Sequence, residues 1–201
     1  MKVCYAPNTR AVRIVWLLNE LGLDYELERY KLGDPAMRGP ELARSHPLGR
    51  VPVLHDGDVS LYESGAIVEY ILARHAPGRL APAVESEEFP RYLQWFHYAE
   101  GMIMPPVNTL VVETILLPED KRNPVNAVRA EKLLARMLDA VEQGLEGREY
   151  LAGDFSAADI MCGHACIVGS SRLTDRAGRP NLSAYVERLK ARPALAAAWD
   201  A

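Results

Sequence analysis

Cysteine is scarce in this chain of 201 residues: Cys4, Cys162 and Cys166 are the whole supply. Three thiols so unevenly spread exclude a disulfide framework and fit a reducing compartment, so stability has to come from burial. Nothing approaches the ~20 consecutive apolar residues of a membrane span, and MKVCYAPNTR has no continuous apolar core of the kind a signal peptide needs. Positive charge is not in excess either, with 23 basic against 27 acidic residues and a formal charge of −4. That removes the basic field which nucleic acid or an anionic membrane surface would require. The expectation is a cytoplasmic protein with small-molecule or protein partners, no nucleic acid and no membrane.

Metal ligands are wanting as well. Cys162 and Cys166 stand one helical turn apart, but His164 at i+2 points away from their face, so no metal site is expected. Cys4 has no partner at the C-x-x-C spacing, which excludes dithiol exchange.

What the chain has is apolar residues, 49 % of the total, arranged in two styles. KVCYA (2–6) is short and β-prone. From Thr9 the period changes, with Ile14, Leu17, Leu18 and Leu21 on one helical face and Gly22 as its stop. YELERY (25–30) returns to strand character, which makes a parallel βαβ unit. GDPAMRGPELARSHPLG reads as a loop holding one short helix. VPVLH and VSLY flank the turn-forming DGD as a hairpin, and SGAIVEYILARH follows as a helix. The order βαβ then ββα is that of an α/β thioredoxin-like sheet, expected over residues 1–76.

Residues 77–89, within APGRLAPAVESEEFP, read as a linker. Residues 90–201 are expected to form an all-α helical bundle. Leu134, Met137, Leu138, Val141 and Leu145 make one stripe of it. Pro105-Pro106 must bend or end the helix they follow. Ser156 and Asp159 form a variant capping box with Phe155 and Ile160 as its staple. NLSAYVERLKARPAL supplies the last helix, with Pro193 as terminator.

One residue conflicts with this scheme. Pro52 lies in GRVPVLHDGD, where a buried strand should not contain a residue without a backbone donor. A cis bond between Val51 and Pro52 at the strand entrance resolves the conflict, because Val51 then presents its N–H and C=O outward.

RVPVL (50–54), LYESGAIVEYI (61–71), FSAADI (155–160) and NTRAVRIVWLLNELGLDYE (8–26), in this order and spacing, resemble the cytosolic glutathione S-transferase family. The resemblance covers most of the chain. It implies a homodimeric transferase that uses glutathione as co-substrate against small hydrophobic electrophiles, as in detoxification. A glutathione-dependent isomerase or reductase, or a non-catalytic binding or regulatory protein of the stringent-starvation type, is the alternative.

On that resemblance Val51 pairs with the backbone of the peptide ligand. Glu63 takes the γ-glutamyl ammonium, and Ser64 at a helix start takes its carboxylate. Arg50 or His46 takes the glycyl carboxylate. Helix capping alone also accounts for Glu63 and Ser64. The thiolate donor belongs in the loop after the first strand, where family members commonly carry serine, tyrosine or cysteine and this chain carries Asn8, Thr9 and Arg10. Thr9 has the serine-like hydroxyl, with Asn8 as amide donor and Arg10 as charged neighbour, though Thr9 also suits an ordinary N-cap. Tyr5 is a lesser candidate that also reads as a packed strand aromatic. Trp95, Tyr98 and Met102 suit either an acceptor pocket or interdomain core.

Overall fold

The computed structural model describes residues 1–33 and 35–201, with the side chains of all but Arg38 and Glu41 among them. Asp34, part of the stretch read as a loop with one short helix, lies outside the described residues. Strand β1 (Lys2–Tyr5) pairs parallel with β2 (Glu26–Arg29) and antiparallel with β3 (Val53–Asp56), and β3 pairs antiparallel with β4 (Val59–Tyr62). The sheet order is therefore β2-β1-β3-β4, one parallel pair and one hairpin, as the periodicities require. Gly57, at φ 59°, supplies the left-handed turn position between β3 and β4.

Helix α1 (Ala11–Leu21) connects β1 to β2 and ends in a Schellman turn: Gly22 sits at φ 64°, and the Leu23 N–H reaches the Leu18 carbonyl at 3.0 Å. Its first eight residues are all buried, because β1, α3 (Ser64–His75) and α9 (Pro193–Trp199) pack around it. Ile14, Trp16, Leu17 and Leu18 are fully covered, each worth about 1.5–3 kcal/mol of transfer free energy. The loop between β2 and β3 contains a 3-10 turn (Pro35–Arg38) and α2 (Pro40–Ser45). Cys4, Met37, Leu42 and Val53 form a small core there, with Val51 packed against it.

The chain divides into two compact units, Met1–Ala81 together with Lys190–Ala201, and Pro82–Leu189. The C-terminal segment, grouped with the helical half on sequence grounds, thus clusters with the sheet. Pro193 does not terminate the last helix; it opens α9, in the first turn, where a missing N–H removes no helical bond. Tyr5 donates to the Ala198 carbonyl at 2.9 Å, Asn19 to that of Ala194 at 3.1 Å, and Arg192 clasps Glu20 at 2.6 Å.

Within Pro82–Leu189 the elements are helical: α4 (Phe89–Tyr98), α5 (Met104–Val111), α6 (Pro124–Gly144), α7 (His164–Ser170) and α8 (Pro180–Lys190). Pro105-Pro106 stand in the first turn of α5, and a π turn over Ala99–Ile103 absorbs the interrupted ladder, so the chain stays helical past them. Leu134, Leu138 and Val141 carry the buried stripe of α6.

Asp159 accepts from the Ser156 N–H (2.9 Å), the Ser156 hydroxyl (3.1 Å), the Leu151 N–H (3.0 Å) and the Tyr185 hydroxyl (2.9 Å). One half of the capping box forms, the Asp159 carboxylate on the Ser156 N–H, while the Ser156 hydroxyl donates to that carboxylate and the Asp159 N–H goes to the Ser156 carbonyl. Asp159 also ties α8 and Leu151 to the π turn (Asp159–Gly163) that leads into α7. Burial pushes the Asp159 carboxyl above its ordinary value in spite of those four donors. Cys162 and Cys166 are fully buried, and among the described residues no three His, Cys, Asp or Glu side chains converge as metal ligands. No described helix is long and apolar enough to cross a membrane.

Candidate functional site

Register brings three distant segments to one end of the sheet. Cys4 lies opposite Val53, and Val53 opposite Tyr62, so the loop after β1 (7–10), the entrance to β3 (50–52) and the exit of β4 (63–64) are neighbours. Arg13 in the first turn of α1 closes the group by donating Nη1–H to the Ser64 Oγ at 3.1 Å.

The Val51-Pro52 peptide bond is cis. Val51 precedes β3, its side chain is packed on the small core, and among the described residues neither its N–H nor its C=O has a hydrogen-bond partner. An anchored side chain with two unused backbone groups is an edge for one residue of an extended peptide.

Glu63 sits at φ 74°, a left-handed conformation that costs energy in a side chain other than glycine. This conformation lets the Glu63 carbonyl accept the Ile67 N–H at 2.9 Å while the side chain stays exposed at the head of α3. No side chain caps α3. The first N–H groups of α3, which have no helical acceptor, and the nearly buried Ser64 hydroxyl form a donor-rich surface beside the Glu63 carboxylate.

His46 is 7 % exposed, with its ring 4.6 Å from that of Tyr62. Its Nδ1 accepts the Leu48 N–H at 3.1 Å, which leaves the ring proton on Nε2. Burial holds the imidazole below its ordinary pKa, with Glu63 pulling it up and the Arg50 charge pushing it further down. The ring is thus a neutral Nε2–H donor at neutral pH, and Arg50 is the exposed cation beside it.

At the loop after β1, Asn8 takes φ 59°, a conformation asparagine tolerates, and is exposed. Thr9 donates its hydroxyl proton to the Ala6 carbonyl at 2.6 Å and accepts the Ala11 N–H at 3.2 Å. The Val12 and Arg13 N–H groups bond the Thr9 and Arg10 carbonyls at 3.2 and 3.1 Å. The amides of the first turn of α1 are thus satisfied locally, and the Thr9 proton is committed. Asn8 has the amide donor of this loop that no described residue holds. Arg10 occupies the N-cap position, half-buried.

Tyr5 is fully buried and its hydroxyl is spent on Ala198, so the strand aromatic packs and is not presented at the loop. Trp95 is 3 % exposed and lies against Gly144, while the Tyr98 hydroxyl donates to the Met137 carbonyl at 3.1 Å; both are packing residues of the helical unit. Met102 is exposed. The residue that sequence reasoning missed is Arg13, a charge inside the otherwise apolar AVRIVWLL. The break in that run was the available signal.

The N-terminal domain model of glutathione S-transferase matches residues 2–73, and the C-terminal domain model matches residues 103–193. Glutathione S-transferase 4 of Zea mays is 34 % identical over 187 residues, 90 % of this chain and 83 % of that protein. A glutathione S-transferase structure from Actinobacillus pleuropneumoniae superposes with TM-score 0.81 at 30 % identity, covering 99 % of this chain and 91 % of that one. A sphingomonad glutathione S-transferase solved in complex with glutathione gives TM-score 0.83 at 27 % identity, over 100 % of this chain and 98 % of that one. This chain belongs to the glutathione S-transferase family, and it carries the thioredoxin-like sheet followed by helices that defines the fold.

Proposed function

We propose that the chain binds glutathione at this end of the sheet and activates its thiol for transfer to a small hydrophobic electrophile. The observation that carries the reading is Val51, with an anchored side chain and two unpaired backbone groups, set beside the donor-rich start of α3 and the Glu63 carboxylate. In this reading Val51, held by Pro52, pairs with the cysteinyl backbone. Ser64 and the α3 N-terminus take the γ-glutamyl carboxylate, Glu63 takes the ammonium, and Arg50 with the His46 Nε2–H takes the glycyl carboxylate.

A free thiol with a pKa of ~8.5 is only about 3 % thiolate at pH 7, and lowering that pKa by ~2 units stabilises the anion by about 2.7 kcal/mol. We assign the direct donor to the Asn8 amide. Arg10 adds positive charge, and Thr9 shapes the loop through its two hydrogen bonds. The protein acts as a homodimer in the cytoplasm, with residues 1–76 carrying the glutathione site.

A non-catalytic glutathione-binding module is the second reading, and one observation favours it: the Thr9 proton is spent on Ala6. Calorimetry with glutathione followed by a panel of electrophiles separates the two. Binding with turnover of at least one electrophile supports transfer, binding without turnover of any supports the module, and no binding at millimolar glutathione overturns both. Sedimentation showing monomer alone would remove the dimer.

A further inference from the structure

We propose that Arg13 is a positioning residue that sets the polarity of Ser64 and thereby decides which end of the γ-glutamyl zwitterion lies there; this rests on the glutathione reading above. Arg13 is fully buried, and its Nη1–H donates to the Ser64 Oγ at 3.1 Å across 51 residues of chain. A guanidinium carries donors and no acceptor, so the Ser64 oxygen has to accept in this bond. The hydroxyl proton is left over, and among the described residues it goes to no acceptor.

The consequence is chemical. A serine whose oxygen is taken by a donor presents its proton to a ligand, whereas one whose proton is taken by a carbonyl or carboxylate presents lone pairs. Ser64 is the first residue of α3, where the neighbouring N–H groups are also donors and the helix dipole is positive. With the Arg13 charge behind the hydroxyl, every group at that point suits a carboxylate and opposes an ammonium. Glu63, one residue earlier and exposed, is the opposite pole. Arg13 thereby orients an α-amino acid group without touching it.

The test uses calorimetry with glutathione and two analogues: one with 4-aminobutyryl in place of γ-glutamyl, which lacks the α-carboxylate, and one with glutaryl, which lacks the amine. In the unaltered protein, loss of the carboxylate weakens binding on the order of 10–100-fold, the worth of a hydrogen bond to a charged group. In Arg13→Met that penalty falls to about threefold or less, while the penalty for losing the amine is unchanged. General structural damage would weaken all three ligands together and leave the ratios intact, so an Arg13→Met protein that keeps the full carboxylate penalty overturns the proposal.

Ser64→Ala, in which Arg13 remains, provides a second arm should the methionine variant not fold. Arg13 acts through Ser64, so this variant must also lose most of the carboxylate penalty, and retention of it overturns the proposal. If the unaltered protein binds none of the three peptides, the glutathione reading itself fails and the inference falls with it. Discrimination by the unaltered protein that survives in both variants removes the inference alone.

Discussion

The Tyr5 hydroxyl donates to the Ala198 carbonyl at 2.9 Å, joining the first strand to the last helix across 193 residues. Both groups are buried, and burial raises the Tyr5 phenol above its ordinary pKa. A phenol held neutral against a carbonyl serves as a fastener. Tyr5→Phe therefore lowers stability by about 1 kcal/mol, the net worth of one such bond. It leaves kcat with glutathione unchanged. Urea denaturation paired with a steady-state assay checks both, and a large fall in kcat in a stable protein would return Tyr5 to the mechanism.

Asn8 and Thr9 are expected to separate on ultraviolet titration of the glutathione complex. Asn8→Ala raises the thiolate pKa by roughly one unit, equivalent to about 1.4 kcal/mol of lost anion stabilisation. Thr9→Ala acts mainly on folding, costing about 1 kcal/mol or more through the two hydrogen bonds its hydroxyl makes with Ala6 and Ala11. A Thr9→Ala complex whose pKa rises more than that of Asn8→Ala reverses the assignment.

His46 gives the stability curve a sign. Its folded pKa is lowered by burial, so as pH falls below about 6.5 the unfolded chain takes up the proton before the folded one does. The unfolded state then binds more protons, and stability is lost on acidification. It is regained as pH rises above that value. Relative to His46→Gln, the unaltered protein becomes progressively less stable between pH 7.5 and pH 5. Carboxylates titrate in both proteins and cancel in the difference, so a pH-independent difference would contradict the burial of His46.

Gly144 is the close approach of the helical unit. A Cβ there would stand 2.3 Å from Cζ2 of Trp95, and Arg91 donates to the Gly144 carbonyl beside it. Gly144→Ala is expected to cost about 1–3 kcal/mol by overpacking, with glutathione affinity unchanged. Thermal unfolding and calorimetry measure the two separately. An unchanged melting temperature would mean that Trp95 moves freely enough to line a pocket after all.

Periodicity and turn chemistry made most of the sheet half legible: β1, α1 with its Gly22 stop, the hairpin at Gly57 and the cis bond before Pro52 all stand where local rules place them. The helical half was legible as helices and less so in its joints. A proline pair signals an interrupted ladder, yet a π turn can keep the chain helical through it, and Pro193 carries the same local signal whether it closes one helix or opens the next. Long-range bonds left no trace in sequence. Within the loop after β1 a local bond decides: Thr9, favoured for its serine-like hydroxyl, gives way to Asn8 because the Ala6 carbonyl three residues back claims the Thr9 proton. Arg13 was passed over because a charged residue on a helix is ordinarily solvated, whereas α1 is covered on all sides over its first eight residues.

The order of synthesis matters for a unit built from two distant stretches, Met1–Ala81 and Lys190–Ala201. Translation at ~5–20 residues per second separates Tyr5 from Ala198, 193 residues later, by about 10–40 s. Over that interval Tyr5, Asn19 and Glu20 are made without their partners, the Ala198 and Ala194 carbonyls of α9 and the Arg192 guanidinium just before it. The sheet unit therefore reaches its final hydrogen-bonded form only once residues 192–198 have been made and docked on α1 and β1.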